Sequence, residues 1–522
     1  MKRKRLMKFV RAISAAAGTG LLLSGCAGPE LPVSSQSGSP AASSRPADAQ
    51  EEETMDIWET TYTGELYNER YRNQFHYSPQ SGWMNDINGV WYADGLYHMA
   101  YQRTKALDWE FSDEIGWGYA TSPDLLHWTQ RHNLLQAGEN CAGAAFSGTA
   151  VVDEKNTAGF GAGAYILVYT DTLRGQCLAI SVDKGRTFVD YAENPVVTIA
   201  DPAPGTVVAH QRDPKVFWHE ESGRWVMVAF REHLTADGGE TMEFFTSPDL
   251  KAWTLRSTFT APDFRECPDM YPLRLEGSDR LYWILQSAST KYFIGEFDGE
   301  TFTVTEEPGE KLAGGKDIYA GQTFFGLPDE RTVSIYWLDC WNGSSVPTTP
   351  WRHAATFPTT LTLKRFPEGL RVVRSPIEEI AALYKNTIVR RDRTAGTGGN
   401  PLEGFYAPCF DMTVELDIGA TRARRINFNL MDKTLAYMPE DQTLYSTDGG
   451  GVAGELRIPP VDGKIKLRFL VDADSLEIFC NDGRFSYTEE YGFAYRTKAL
   501  SLTADKEVPV LLVEFHALDG IW

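Results

Sequence analysis

Short runs of alternating apolar and polar residues, broken by Gly, Pro, Asn and Asp, fill the chain from about Phe75 to its end. An apolar residue at every second position suits a strand with one buried face, so the pattern predicts an all-β protein. Helical spacing surfaces once, over residues 375–384. Four stretches, 119–128, 180–188, 245–253 and 294–302, resemble one another: each is a strand, a turn containing Asp, and an aromatic. The closing aromatics Trp128, Phe188, Trp253 and Phe302 recur at roughly 50 to 65 residues, the length of one four-stranded propeller blade. Strand–turn–strand units beginning at Gly89, near Gly148, at Val216, at Met270 and near Thr323 keep the same phase. A five-bladed β-propeller between about Phe75 and Leu363 is the expectation.

The pattern changes after about Glu379. Residues 464–469 alternate strictly, Asn481-Asp482-Gly483 has the chemistry of a hairpin turn, and an apolar run at 510–515 closes the chain. This predicts a C-terminal β-sandwich. At the other end, Lys2, Arg3, Lys4, Arg5, Lys8 and Arg11 precede a short apolar stretch that ends at Leu23-Ser24-Gly25-Cys26. A basic start, a short apolar core and small residues before a cut describe an export signal too short to span a membrane. Residues 27–55 are rich in Ser, Pro, Ala, Gly and Glu and lack the apolar content of a core. The expected organisation is a signal peptide at 1–25, a tether at 26–60, a propeller at 61–375 and a sandwich at 376–522.

Charge narrows the partners. The chain carries 50 Lys+Arg against 71 Asp+Glu, a net −21. Loss of the leader, with six basic residues and no acidic one, makes it −27. Such a surface repels phosphate backbones and argues against nucleic-acid binding. Aromatics are abundant, with 14 Trp, 23 Tyr and 27 Phe, as in many sugar-binding proteins. Seven Cys in 522 residues give no dense disulfide framework.

In a propeller the first strand of each blade lines the axis, so residues entering those strands converge at one end. Three entries carry an acid: Asp86 ahead of Gly89, Asp213 ahead of Val216, and Glu266 ahead of Met270. Acids there have no packing role, whereas Asp124, Asp183 and Asp249 sit in the repeat turns, where Asp commonly accepts backbone N–H bonds. Clustered carboxylates among aromatics are the equipment of glycoside hydrolysis: one protonates the leaving oxygen, another attacks the anomeric carbon or activates water. His219-Glu220 lacks the second His of a zinc helix and the Cys residues form no close pairs, so no metal is expected. No Gly-x-Ser-x-Gly elbow and no phosphate loop is present, and no cofactor is expected.

Trp83-Met84-Asn85-Asp86-Ile87-Asn88-Gly89, Arg212-Asp213-Pro214 and Glu266-Cys267 resemble the signature blocks of glycoside hydrolase family 32, the invertases, inulinases and levanases. Ile87 stands where that family has Pro. Phe146-Ser147-Gly148, Gly116-Trp117-Gly118, Asp317-Ile318-Tyr319-Ala320 and the spacing of Trp337 and Trp341 extend the resemblance to nearly the whole mature chain. It implies Asp86 as nucleophile, Glu266 as general acid/base and Asp213 as transition-state stabiliser. Trp83, Asn85, Gln102, Trp109, Phe146, Ser147, Arg212, Tyr319 and Trp341 would line a fructosyl pocket, although the spacing from Gln102 to Trp117 departs from the family's. On this assignment Asp86 is ionised while Glu266 keeps its proton, and Cys267 is a small neighbour tuning Glu266. Leu-Ser-Gly-Cys resembles the lipobox of bacterial lipoproteins, which would put a lipid anchor on Cys26 and the protein at the cell surface. The implied activity is retaining hydrolysis of β-fructofuranosyl linkages in fructans or sucrose. A fructosyltransferase using the same site, and a fructan-capturing lipoprotein with a dead site, are the alternatives.

Overall fold

The computed structural model describes residues 65–107, 115–198, 210–232, 240–338, 346–397, 399–448, 451–494 and 498–522. The expected signal peptide, tether and lipidation site Cys26, together with Trp109 and Trp341, lie outside these residues.

Five antiparallel sheets follow one another along the chain, and together they form a five-bladed propeller. Their first strands are Gly82–Ala93, Ala145–Asp153, Gln211–His219, Asp269–Arg274 and Tyr319–Thr323 for blades I to V. The ring closes between blades V and I: Tyr92 N donates to Phe325 O and Phe325 N to Val90 O, and Trp351–Arg352 pairs in parallel with Gly82 and Trp83. Blade faces are apolar on both sides because each blade is packed between two others. The strand Ala164–Asp171 is accordingly buried along its whole length.

The sequence repeat coincides with the passage from third to fourth strand in blades I to IV. In blade I, Asp124 Oδ1 accepts from the Leu126 and His127 amides, while Trp128 Nε1 donates to Leu125 O. Blade III repeats this with Asp249, the Lys251 and Ala252 amides, and Trp253 on Leu250 O. Asp183 similarly accepts from the Thr187 amide. These acids are turn-formers, as expected. Blade V makes the same passage between Thr359–Phe366 and Gly369–Pro376 through Pro367-Glu368, with no Asp in the turn. That is why the repeat stops at four copies in the sequence.

A short 3-10 helix, Glu378–Leu383, leads to the sandwich, whose sheets have seven and five strands. The expected hairpin is there: Asn481 and Asp482 take φ of 48° and 57° between Ser475–Cys480 and Phe485–Glu490. Propeller and sandwich are joined by Gly314–Gly315, which pairs in parallel with Tyr487 and Thr488, and by the segment before blade I. Within that segment His76 is fully buried between Asp472 and Glu477 of the sandwich.

One placement differs from expectation. Only Glu266 stands ahead of its strand. Asp86 and Asp213 lie inside theirs, at register shifts between Met84 and Ile87 and between Arg212 and Lys215. Blades II and V have the same irregularity, between Phe146 and Gly148 and between Tyr319 and Gln322. A bulge turns one residue out of the alternating pattern and bends the strand. Four inner strands therefore break their alternation near one end of the axis, and the breaks carry Asp86, Ser147, Asp213 and Ala320.

Candidate active site

The bulges bring most of the sequence-derived site into one hydrogen-bonded web. Ser147 Oγ donates to Asp86 Oδ2 at 2.7 Å. The Cys267 thiol reaches the same oxygen at 3.3 Å, and the Cys267 amide donates to Asp213 Oδ2 at 3.1 Å. Glu266, next in the chain, accepts from Arg212 Nη2 at 2.8 Å and from the Tyr319 hydroxyl at 2.5 Å. The dipeptide Glu266-Cys267 thus ties all three acids together. Its backbone is left-handed at both residues, with φ of 51° and 38°, and Asp213 has φ of 62°. Non-glycine residues rarely adopt this region, so the surrounding structure holds the acids in place against a local cost.

Arg212 pairs with two of these acids, Glu266 and Asp213. It lies 3.6 Å from Asp213 and 3.3 Å from Glu232, with its guanidinium over the Phe230 ring. Asp213 is the most enclosed acid; its amide donates to Thr170 Oγ1 at 3.0 Å. The Glu266 side chain keeps 31% of its surface exposed. Gln102 is buried and donates to Ala145 O, with its own Oε1 3.0 Å from Ser147 Oγ. Asn85 and Phe146 are half-buried chain neighbours of Asp86 and Ser147. Trp83 packs on His353 with ring centroids 4.2 Å apart, and its buried Nε1 has no partner among the described residues. No cluster that could hold a metal occurs among the described residues.

Two expectations about the acids are corrected. Burial pushes Asp86 up to about 6 and Asp213 up to about 7, outweighing the bonds from Ser147 and Cys267 to the first and the charge of Arg212 on the second. Burial also pushes Glu266 up, but the Arg212 charge and the bonds from Tyr319 and Arg212 outweigh it, so Glu266 falls below the usual glutamate range. Of the three, the aspartates therefore hold a proton more readily than Glu266, the reverse of the order expected. Cys267, expected beside Glu266, directs its thiol at Asp86; burial keeps that thiol protonated and a donor.

One residue of the first motif was given no role by sequence reasoning. Asn88 is fully buried beneath Asp86 and Ser147. Its place in the motif was visible, but its partners come from three other strands.

Residues 76–376 match the family model for the glycosyl hydrolases family 32 N-terminal domain, and residues 379–505 match that for the glycosyl hydrolases family 32 C-terminal domain. The chain belongs to glycosyl hydrolase family 32. It is 34% identical over 502 residues to a levanase of Bacillus subtilis, covering 87% of this chain and 72% of that one. It is 31% identical over 493 residues to an extracellular exo-inulinase of Aspergillus ficuum, covering 81% and 90%. Among solved structures, the exo-inulinase of Aspergillus awamori superposes with a TM-score of 0.76 at 27% identity, over 87% of this chain and 100% of that one.

Proposed function

We propose that the protein hydrolyses β-D-fructofuranosyl linkages of fructans or sucrose with retention, releasing fructose. The observation that carries this is the tie of Asp86, Asp213 and Glu266 through one dipeptide, at the bulges of two inner strands and the entry to a third. Asp86, pointed by Ser147, is the nucleophile on the anomeric carbon. Glu266, which is partly exposed, gives its proton to the leaving oxygen and later takes one from the attacking water. Asp213 is the acceptor for fructose hydroxyls as positive charge grows on the ring. Trp83, Asn85, Gln102, Phe146, Arg212 and Tyr319 line the pocket, and the family resemblance assigns a substrate-binding role to Trp109 and Trp341 as well. Catalysis falls to residues 61–375, with 376–522 as its support.

The reactive form needs Asp86 ionised and Glu266 protonated, the reverse of the order in which the two carboxyls hold a proton. A fructosyl unit that displaces Tyr319 and Arg212 from Glu266 removes the contacts holding that carboxyl ionised, and the proton moves to where it is used. The levanase and exo-inulinase relatives favour a polymer, and the leader favours export with a lipid on Cys26 and residues 26–60 as tether. A Cys26→Ser variant then leaves the membrane fraction; unchanged fractionation would remove the anchor from this reading.

The roles of the acids are tested by chemical rescue. Glu266→Gln loses roughly 10²–10⁴-fold on sucrose or fructan and much less on fructosyl fluoride, whose leaving group departs without a proton. Azide, which attacks without base help, restores turnover and yields β-fructosyl azide. Asp86→Asn remains inactive with azide because the ester cannot form. Rescue of neither variant, or an inverted azide from Glu266→Gln, would overturn the assignment. Longer oligosaccharides in place of fructose would turn it into a transferase.

A further inference from the structure

Asn88 has no surface exposed to solvent. The amide orientation that satisfies its surroundings has its oxygen accepting from Trp117 Nε1 at 2.9 Å and from the Gln102 amide at 3.1 Å. Its nitrogen then donates to Ser147 Oγ at 3.0 Å. Ser147 has one proton and two acceptors within reach, Asp86 Oδ2 at 2.7 Å and Gln102 Oε1 at 3.0 Å. A hydroxyl that already accepts a bond is a stronger donor, and it gives its proton preferentially to the charged acceptor.

We propose that Asn88 is a positioning residue: its amide donates into Ser147 and fixes that hydroxyl as a donor to the Asp86 carboxylate. The inference rests on Asp86 being the nucleophile. The relay runs between two blades, from Asn88 in the first strand of blade I, to Ser147 in that of blade II, and back to Asp86. It has room for nothing larger. A Cβ on Gly89 would sit 2.8 Å from the Ala150 amide nitrogen, and one on Gly148 would sit 2.0 Å from Val168 O. The inner strand of blade I is packed on that of blade II, and the latter on its own neighbour, closely enough to hold these side chains in place. The other groups acting on Asp86 are Cys267, Asp213, Glu266, Arg212 and Tyr319, and none of them touches Asn88.

The consequence is specific in its pH dependence. Without Asn88, Ser147 donates less firmly, Asp86 binds its proton more tightly, and fewer molecules carry their single proton on Glu266. At pH well above the titration of all three acids this competition vanishes, because Glu266 is protonated from the fully ionised site whatever the affinity of Asp86. Asn88→Ala is therefore expected to lower the maximum of kcat/KM by about tenfold and to move the profile upward by about one pH unit, the scale of one charge-assisted bond. Its rates rejoin those of the parent at high pH. Ser147→Ala does the same, and the double variant does no more than Ser147→Ala alone. Asn88→Asp keeps the size and both accepting contacts while losing the donor, and serves if the alanine variant does not fold. The same factor lost at every pH, or losses that add in the double variant, would overturn the proposal and make Asn88 a packing residue. Mass analysis of acid-quenched enzyme separates this from the parent reading. A fructosyl ester on the Asp86 peptide keeps Asp86 as nucleophile even if the Asn88 proposal fails. An ester elsewhere, or none, ends both.

Discussion

Arg212 decides how three acids share few protons. Its guanidinium donates to Glu266, lies beside Asp213, and favours the ionised form of all three site carboxyls. Burial acts in the opposite sense on each, and on both aspartates burial wins. Their protons belong to the cluster and not to single residues, so the pH profile reports the cluster. Removing the cation in Arg212→Met raises the proton affinity of every member. Whichever acid governs a given limb, both limbs of kcat/KM therefore move upward, by about one unit or more. The maximum falls by about 10²–10³-fold, the cost of losing a charged donor from a preorganised site. A pH series of initial rates checks this. A lower profile with unmoved limbs would mean that Arg212 only contacts substrate and leaves the acids alone.

At the scale of the element, the same device is used four times: an inner strand that loses its alternation next to the axis. This explains what the sequence could and could not disclose. Blade length followed from the spacing of the Asp turns and blade number from the five strand–turn–strand units, because a turn needs particular residues at fixed offsets and leaves a spaced trace. Blade V escaped the repeat since Pro367-Glu368 turns its chain by other means. The acids were legible as residues out of place, and the family blocks added their roles. Their setting inside bulged strands was not legible, because a bulge at Asp86 or Asp213 looks in the sequence like the end of a strand. Nor was the resting charge of Glu266. Its partners Arg212 and Tyr319 come from blades III and V, and only the closed ring puts them on one carboxylate. Asn88 was hidden for the same reason, its partners being Trp117, Gln102 and Ser147 from neighbouring strands and a neighbouring blade.

At the scale of the molecule, the sandwich is coupled to the propeller through a buried charge cluster. His76 Nδ1 lies 3.0 Å from Asp472 Oδ2 and Nε2 lies 3.0 Å from Glu477 Oε1, so both ring nitrogens face carboxylates and both must donate. Asp472 also accepts the Gln74 and Phe75 amides. Glu477 accepts from Phe357 N and from Arg374 of the last blade. All four side chains are fully buried. Burial alone would lower the affinity of His76 for its second proton, but the hydrogen bonds and charges of Asp472 and Glu477 prevail and push it up to about 9. A histidine raised from 6.5 to about 9 on folding contributes stability that is complete below pH 6.5 and lost as pH rises through 9. The two carboxylates are held below their ordinary range, so their contribution is present above the unfolded values near pH 4 and is lost on acidification. The seam is therefore tightest between about pH 5 and 6.5. His76→Leu fills the space but leaves two buried carboxylates with one arginine, a loss of about 3–5 kcal/mol. Thermal midpoints at pH 6, 7.5 and 9 test it. The parent protein declines steeply across that series, whereas the variant starts lower and declines less, since the share contributed by His76 is gone and only that of raised carboxyls such as Asp213 and Asp474 is left. Parallel decline in both proteins would assign the alkaline loss to another group and reduce the seam to packing.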